Sequence, residues 1–149
     1  MSVVVSEMKT GTVDVRVRMS EVDMQGFAFH SKYFEWFSIG RIEYLRSACN
    51  ISFTSDGRPM IGGQVRNMTF VVKEISCQFI YPARFDELLE LRTTIKNIKG
   101  SEVLLEHELY RKADKKLLTK AQCNWTCINT ENFRPTEIPE DVAKMFQDP

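Results

Sequence analysis

One change of hydrophobic period limits what this chain can fold into. Val13, Val15, Val17 and Met19 alternate with Thr12, Asp14, Arg16 and Arg18, the period of two expected of a half-buried strand over Thr12 to Met19. A polar turn follows from Ser20 to Gly26, and beyond Ser31, the expected N-cap, the period becomes helical. Tyr33, Phe34, Trp36, Phe37, Gly40, Tyr44, Leu45 and Ala48 gather on about half of the helix circumference. Lys32, Glu35, Ser38, Glu43 and Arg46 take the other half, where Ile39 and Ile42 intrude. A face this aromatic needs a wide apolar surface over it, which a curved sheet supplies. Gly40 on that face predicts close contact with a neighbouring backbone, or room kept for a ligand.

The remainder reads mostly as sheet. Asn50 to Asn67 is irregular, with a loop at Thr54 to Pro59 and an interruption at Gly62-Gly63. Phe70 to Tyr81 is extended, with Val71, Lys73, Ile75, Cys77, Phe79 and Tyr81 on one face. Turn chemistry at Pro82 to Asp86 ends it. Strands follow at Leu88 to Ile98, Glu102 to Lys112 and Leu117 to Asn129, and Pro139 marks the first turn of a short C-terminal helix. Strand, helix, then successive antiparallel strands is an α+β order: one long central helix wrapped by a curved antiparallel sheet. The expectation is one domain over residues 1–149, with a core at about 12–130 and a C-terminal extension at 131–149. Long sheet edges favour edge-to-edge homo-oligomers.

Charge and cysteine content exclude several classes. Lys plus Arg and Asp plus Glu are 20 each, so no net field draws nucleic acid or anionic lipid. No run approaches a membrane span, and the N-terminus lacks a basic segment followed by an apolar one, so a cytoplasmic protein is the expectation. Cys49, Cys77, Cys123 and Cys127 form no Cys-x-x-Cys or Cys/His cluster, and a Cys49–His107 nucleophile pair would join distant positions. No metal site and no cofactor is expected. A Gly-x-Ser-x-Gly elbow, a dinucleotide fingerprint and a His-Glu-x-x-His helix are all missing from the sequence.

What remains is Asp23, seven residues before His30, with a helix beginning immediately after. A helix N-terminus offers unpaired N–H groups and partial positive charge, which can hold an oxyanion. A carboxylate beside it can attack a polarised carbonyl or draw a proton from water. Asp23 can equally close an Asx-turn, and His30 can be an ordinary helix-entry residue.

Residues 16–46, read as R-x-R-x-x-E-x-D-x-x-G-x-x-x-H-x-x-Y-x-x-W-F-x-x-x-R-x-E-x-L-R, resemble the entry segment of the hotdog-fold acyl-CoA thioesterases. The nearer subgroup is the 4-hydroxybenzoyl-CoA thioesterase-like enzymes, including those associated with the Tol-Pal system. Val71 to Ile75 and Tyr81 to Leu89 are similar to the family's second strand and the turn after it. The resemblance implies Asp23 as catalytic carboxylate, with His30 as its histidine partner and as backbone donor to the thioester oxygen. It implies substrate contacts at Gly26, Phe29 and Tyr33, and CoA phosphates met by Arg84, Lys96 and Lys99, which are otherwise ordinary solvated charges. An acyl-CoA substrate, CoA entering only as part of it, and a dimer or tetramer with intersubunit sites follow from the same source. Met19 departs from the pattern, since the subgroup often carries a tyrosine there. A nucleophilic Asp23 needs only its ionised form; a general base would need burial to raise its pKa. The alternatives are an acyl-thioester hydratase or dehydratase and a non-catalytic acyl-CoA binding protein.

Overall fold

The computed structural model describes residues 8–147. Strand β1 (Thr10–Arg16) leads through a 3₁₀ turn (Met19–Glu21) to helix α1 (His30–Glu43), whose last turn passes into a π-helical turn (Tyr44–Ala48). Short strands β2 (Ser52–Phe53), β3 (Pro59–Ile61) and β4 (Gln64–Val65) form a small sheet of their own. The long strands β5 (Met68–Phe79), β6 (Leu88–Lys99), β7 (Glu102–Arg111) and β8 (Lys116–Asn129) complete the main sheet, and helix α2 (Glu140–Met145) follows. The main sheet is antiparallel throughout, in the order β1-β6-β7-β8-β5. The α+β class and the order of its elements agree with the sequence-based expectation.

Several expectations need correction. The helix has fourteen α-helical residues and five more in the π turn, so it is shorter than the long helix expected. It ends because Asn50 takes a left-handed backbone, φ 54°, and Ile51 N–H closes back on Leu45 O at 3.0 Å. Its N-cap is Phe29, two residues before Ser31, in an extended conformation with no side-chain cap. The first strand stops at Arg16, and Met19, expected on the inner face, is 68% exposed at the start of the 3₁₀ turn. Along β5 the predicted face is interrupted by a bulge between Val72 and Glu74. Phe70 therefore packs inward with Ile75 while Val71 turns outward, as an inserted residue reverses the alternation. Pro139 stands at the N-cap of α2 rather than inside its first turn.

Two adjoining clusters make the core. Tyr33, Trp36 and Phe37 from the front of α1 pack on Leu89, Leu91, Leu109 and Leu118. Tyr44 and Leu45 from its end pack with Ile95, Leu105, Trp125 and Phe146. Gly40 sits where the two meet. A Cβ there would stand 2.5 Å from Leu91 Cδ2 and 2.9 Å from Thr93 Oγ1, so the close helix–sheet approach depends on glycine. The cysteines are unbridged, and burial pushes Cys49 up to about 12 and Cys77 and Cys127 up to about 11.

Candidate active site

The polar turn is pinned to α1 by Glu21. Its carboxylate is buried and accepts the Arg18 backbone N–H at 2.7 Å, Arg18 Nη2 at 3.2 Å and Trp36 Nε1 at 2.9 Å. Burial pushes this carboxyl upward, but the bonds from Arg18 and Trp36 outweigh it and hold the group below the usual range. Glu21 O also accepts Phe29 N–H at 3.0 Å, which fixes where the helix begins.

Asp23 occupies the loop so anchored. Its Oδ1 accepts the N–H groups of Gln25 at 2.9 Å and Phe27 at 3.0 Å, so the Asx-turn reading is correct for that oxygen. Its backbone N–H and C=O are also engaged, with Phe27 O and Gly26 N. Oδ2 has no partner among the described residues. Gly26 adopts φ 83°, a region open to glycine, and gives its carbonyl to Phe85 N–H at 2.9 Å. The side chain of Asp23 is thereby fixed through one oxygen while the other stays available.

Asp23 and His30 line one open cavity of about 300 Å³, walled by Tyr33, Phe79, Ile80 and Pro82. The His30 ring stacks on Phe79 with centroids 4.4 Å apart. His30 is the first residue of α1, and its N–H and that of Ser31 have no protein acceptor among the described residues. Tyr33 is buried, and its hydroxyl accepts Ala83 N–H at 2.9 Å. Burial raises its pKa, so what it presents to the cavity is ring, not acid. Phe29 is 47% exposed and Gly26 lies within the turn, its N–H on Asp23 O, and neither lines the cavity.

The three candidate cations separate. Arg84 bridges to Phe27 through its backbone and lays its guanidinium over that ring at 4.9 Å, so it stands at the turn. Lys96 pairs with Glu106 at 3.7 Å on the sheet. Lys99 ends β6, eleven residues from Leu88, which puts it roughly 36 Å along the strand from the end near the turn. Within one subunit neither lysine meets the cavity. Cys49 and His107 do not meet either: Cys49 Sγ faces Met145 O at 3.6 Å.

Two groups escaped the sequence reading. The pattern of β5 places Phe79 on a strand face, and nothing local announces that it carries the His30 ring. Arg41 and His107 form a buried polar pair, 8% and 0% exposed, with Arg41 Nη1 3.2 Å from His107 Nε2. A guanidinium only donates, so Nε2 accepts, and the ring proton sits on Nδ1, donated to Thr93 Oγ1 at 2.9 Å. Burial and then the Arg41 charge depress His107 to about 3, so the ring is neutral. The signal for Arg41 was its place between Gly40 and Tyr44, on the inward half of the helix.

Comparison with known proteins adds the following. The model of the Thioesterase-like superfamily matches residues 17–146. The acyl-CoA thioesterase YbgC of Haemophilus influenzae is 30% identical over 132 residues, covering 89% of this chain and 90% of the relative. The crystal structure of a probable thioesterase from Bartonella henselae aligns with TM-score 0.68 at 26% identity, over 87% of this chain and 98% of that one. A 1,4-dihydroxy-2-naphthoyl-CoA thioesterase from Synechocystis shares the fold, with TM-score 0.77 at 18% identity over 93% and 96% of the two chains.

Proposed function

The chain belongs to the thioesterase-like superfamily, and on that premise we propose that it is an acyl-CoA thioesterase with Asp23 as its catalytic carboxylate. The observation that carries this reading is the pairing of Asp23 Oδ2, unpartnered among the described residues, with the open N–H groups that begin α1, at one cavity. A thioester carbonyl laid against the His30 N–H gains stabilisation as negative charge develops on its oxygen. Asp23 Oδ2 then attacks the carbonyl carbon, the C–S bond breaks, and CoA leaves as thiolate to be protonated. Water hydrolyses the resulting mixed anhydride, returning the carboxylate and releasing the free acid. His30, steadied by Phe79, orients that water and assists its proton transfer. Gly26, Phe29 and Tyr33 shape the turn, the helix start and the acyl wall, and Arg84 is the nearest of the three candidate cations for CoA phosphate.

The working unit we infer is a homodimer formed through β5, and a tetramer built of two such dimers is compatible with it. Strand β5 is twelve residues long and forms an edge of the main sheet. Val71, Val72 and Phe79 are each more than 40% exposed along it, a length and polarity that natural edges avoid when they stay unpaired. No helix among the described residues is long and apolar enough to cross a membrane.

The test is thiol release from a panel of acyl-CoAs by wild type and Asp23→Asn. Loss of about 10²-fold or more in turnover is expected, as for other contacts made in the transition state. Near-wild-type turnover in the variant would reject the role given to Asp23. Hydration with the thioester intact would identify a hydratase, and tight binding without turnover a sensor.

A further inference from the structure

A second cavity, about 350 Å³, opens farther along the same helix. Leu45, Phe53, Phe70 and Trp125 make it largely apolar, while Ser38, Arg41 and Arg46 stand in its lining, and Arg46 already has a counter-charge in Glu43. Arg41 is 8% exposed, its one side-chain partner among the described residues is the neutral His107, and no carboxylate lies within ion-pair distance there. A desolvated cation without a counter-charge is costly, and proteins pair such groups or supply them with an anion. His107 cannot serve, since its accepting nitrogen lowers the desolvation cost without cancelling charge. The arrangement is therefore an apolar chamber with an uncompensated positive charge in its wall.

The chamber and the Asp23 cavity are both lined from α1 and β5. Both flank the seam between α1 and β5: one takes His30, Tyr33 and Phe79, the other Ser38, Arg41, Phe70 and Val72. Because α1 and β5 run in opposed senses along this seam, the helix start meets the strand end, and the helix end meets the strand start. His30 and Arg41 are eleven residues apart, roughly 16 Å of helix. Phe34 and Phe79 rings, 6.4 Å apart, line the seam at its catalytic end.

We propose that this chamber is a subsite for the far end of the acyl group, and that it selects acyl thioesters ending in a second carboxylate, received by Arg41. The proposal rests on the acyl-CoA reading above and adds the substrate class. The apolar walls hold the methylene stem and the guanidinium takes the terminal carboxylate in charge-assisted hydrogen bonds.

Two measurements test it. Hydrolysis is compared between CoA thioesters of linear dicarboxylic acids and those of monocarboxylic acids of equal length, as the ratio of kcat/KM. The same pairs are made as thioethers, which cannot be hydrolysed, and their binding is measured by calorimetry. The wild-type ratio is expected to favour the carboxylate tail, and Arg41→Met to reduce it by about 10–100-fold, the scale of a charged hydrogen bond lost. Ser38→Glu, which sets a carboxylate one helical turn from Arg41, is expected to reduce the ratio similarly and leaves the proposal testable should Arg41→Met not fold. A wild-type preference for the neutral tail, or a ratio unmoved by both substitutions, would overturn the subsite. Loss of Arg41 that changes the oligomeric state and not the ratio would overturn it too, assigning the missing anion to a second copy. Thioether binding that follows the tail charge, with no thiol released from any thioester, would keep the subsite and remove the thioesterase reading.

Discussion

The buried imidazole of His107 sets a pH limit on the fold. Burial first, and the charge of Arg41 second, hold it near 3 against an ordinary 6.5. Below pH 6.5 the unfolded chain takes up a proton that the native chain refuses, so stability falls as pH drops from about 6.5 toward 3 and is unaffected above that window. The slope is about 1.4 kcal/mol per pH unit for one such group. Denaturant titrations at pH 7 and pH 4.5 are expected to show this loss in wild type and a smaller one in His107→Gln, whose amide still accepts from Arg41. Equal pH dependence in both proteins would assign the loss to other groups. At this scale Asp23 and His30 were legible because one turn and one helix start are local features that a linear sequence displays. Arg41 with His107, and His30 with Phe79, join positions 66 and 49 residues apart. No periodicity within either element encodes the meeting.

Among the elements, α1 is positioned by a single close approach. Gly40→Ala gains helix propensity of up to about 1 kcal/mol, but its methyl would overlap Leu91 Cδ2 at 2.5 Å. Overpacking of this kind costs about 1–3 kcal/mol, so a net loss of stability is expected in urea unfolding, and with Leu91→Ala, itself destabilising, the two losses are expected to be less than additive because room has been made. A variant as stable as wild type would mean that the helix and β6 separate freely. The long strands were readable because inward-facing leucines, isoleucines and valines alternate along most of β6 and β7, with Thr93 and His107 taking two inward places and a bulge between Ile95 and Asn97 shifting the end of β6. Two places were not. The bulge at Val72–Glu74 reverses facing without any glycine or proline to announce it. The three short strands at Ser52–Phe53, Pro59–Ile61 and Gln64–Val65 are too brief for alternation to register. Met19 shows a third cause, an apolar residue continuing a strand pattern after the backbone has already turned.

For the whole molecule, the main sheet ends on one side in a seven-residue strand and on the other in a twelve-residue one. Pairing through the longer edge would join two sheets into one and bury the exposed Val71, Val72 and Phe79. Val72→Lys, which sets a charge on that edge, is expected to shift the protein toward monomer in sedimentation and to lower activity with it. A monomer of full activity would show that one subunit holds a complete site. The cysteines, spread over α1's far end, β5 and β8, are unbridged, and desolvation raises each of their pKa values. Few of these sulfurs are ionised near neutrality, and the ionised form is the reactive one. A chromogenic disulfide reagent added to a reaction mixture would thus colour mainly with liberated coenzyme, so the protein can be followed continuously without first masking its own sulfhydryls.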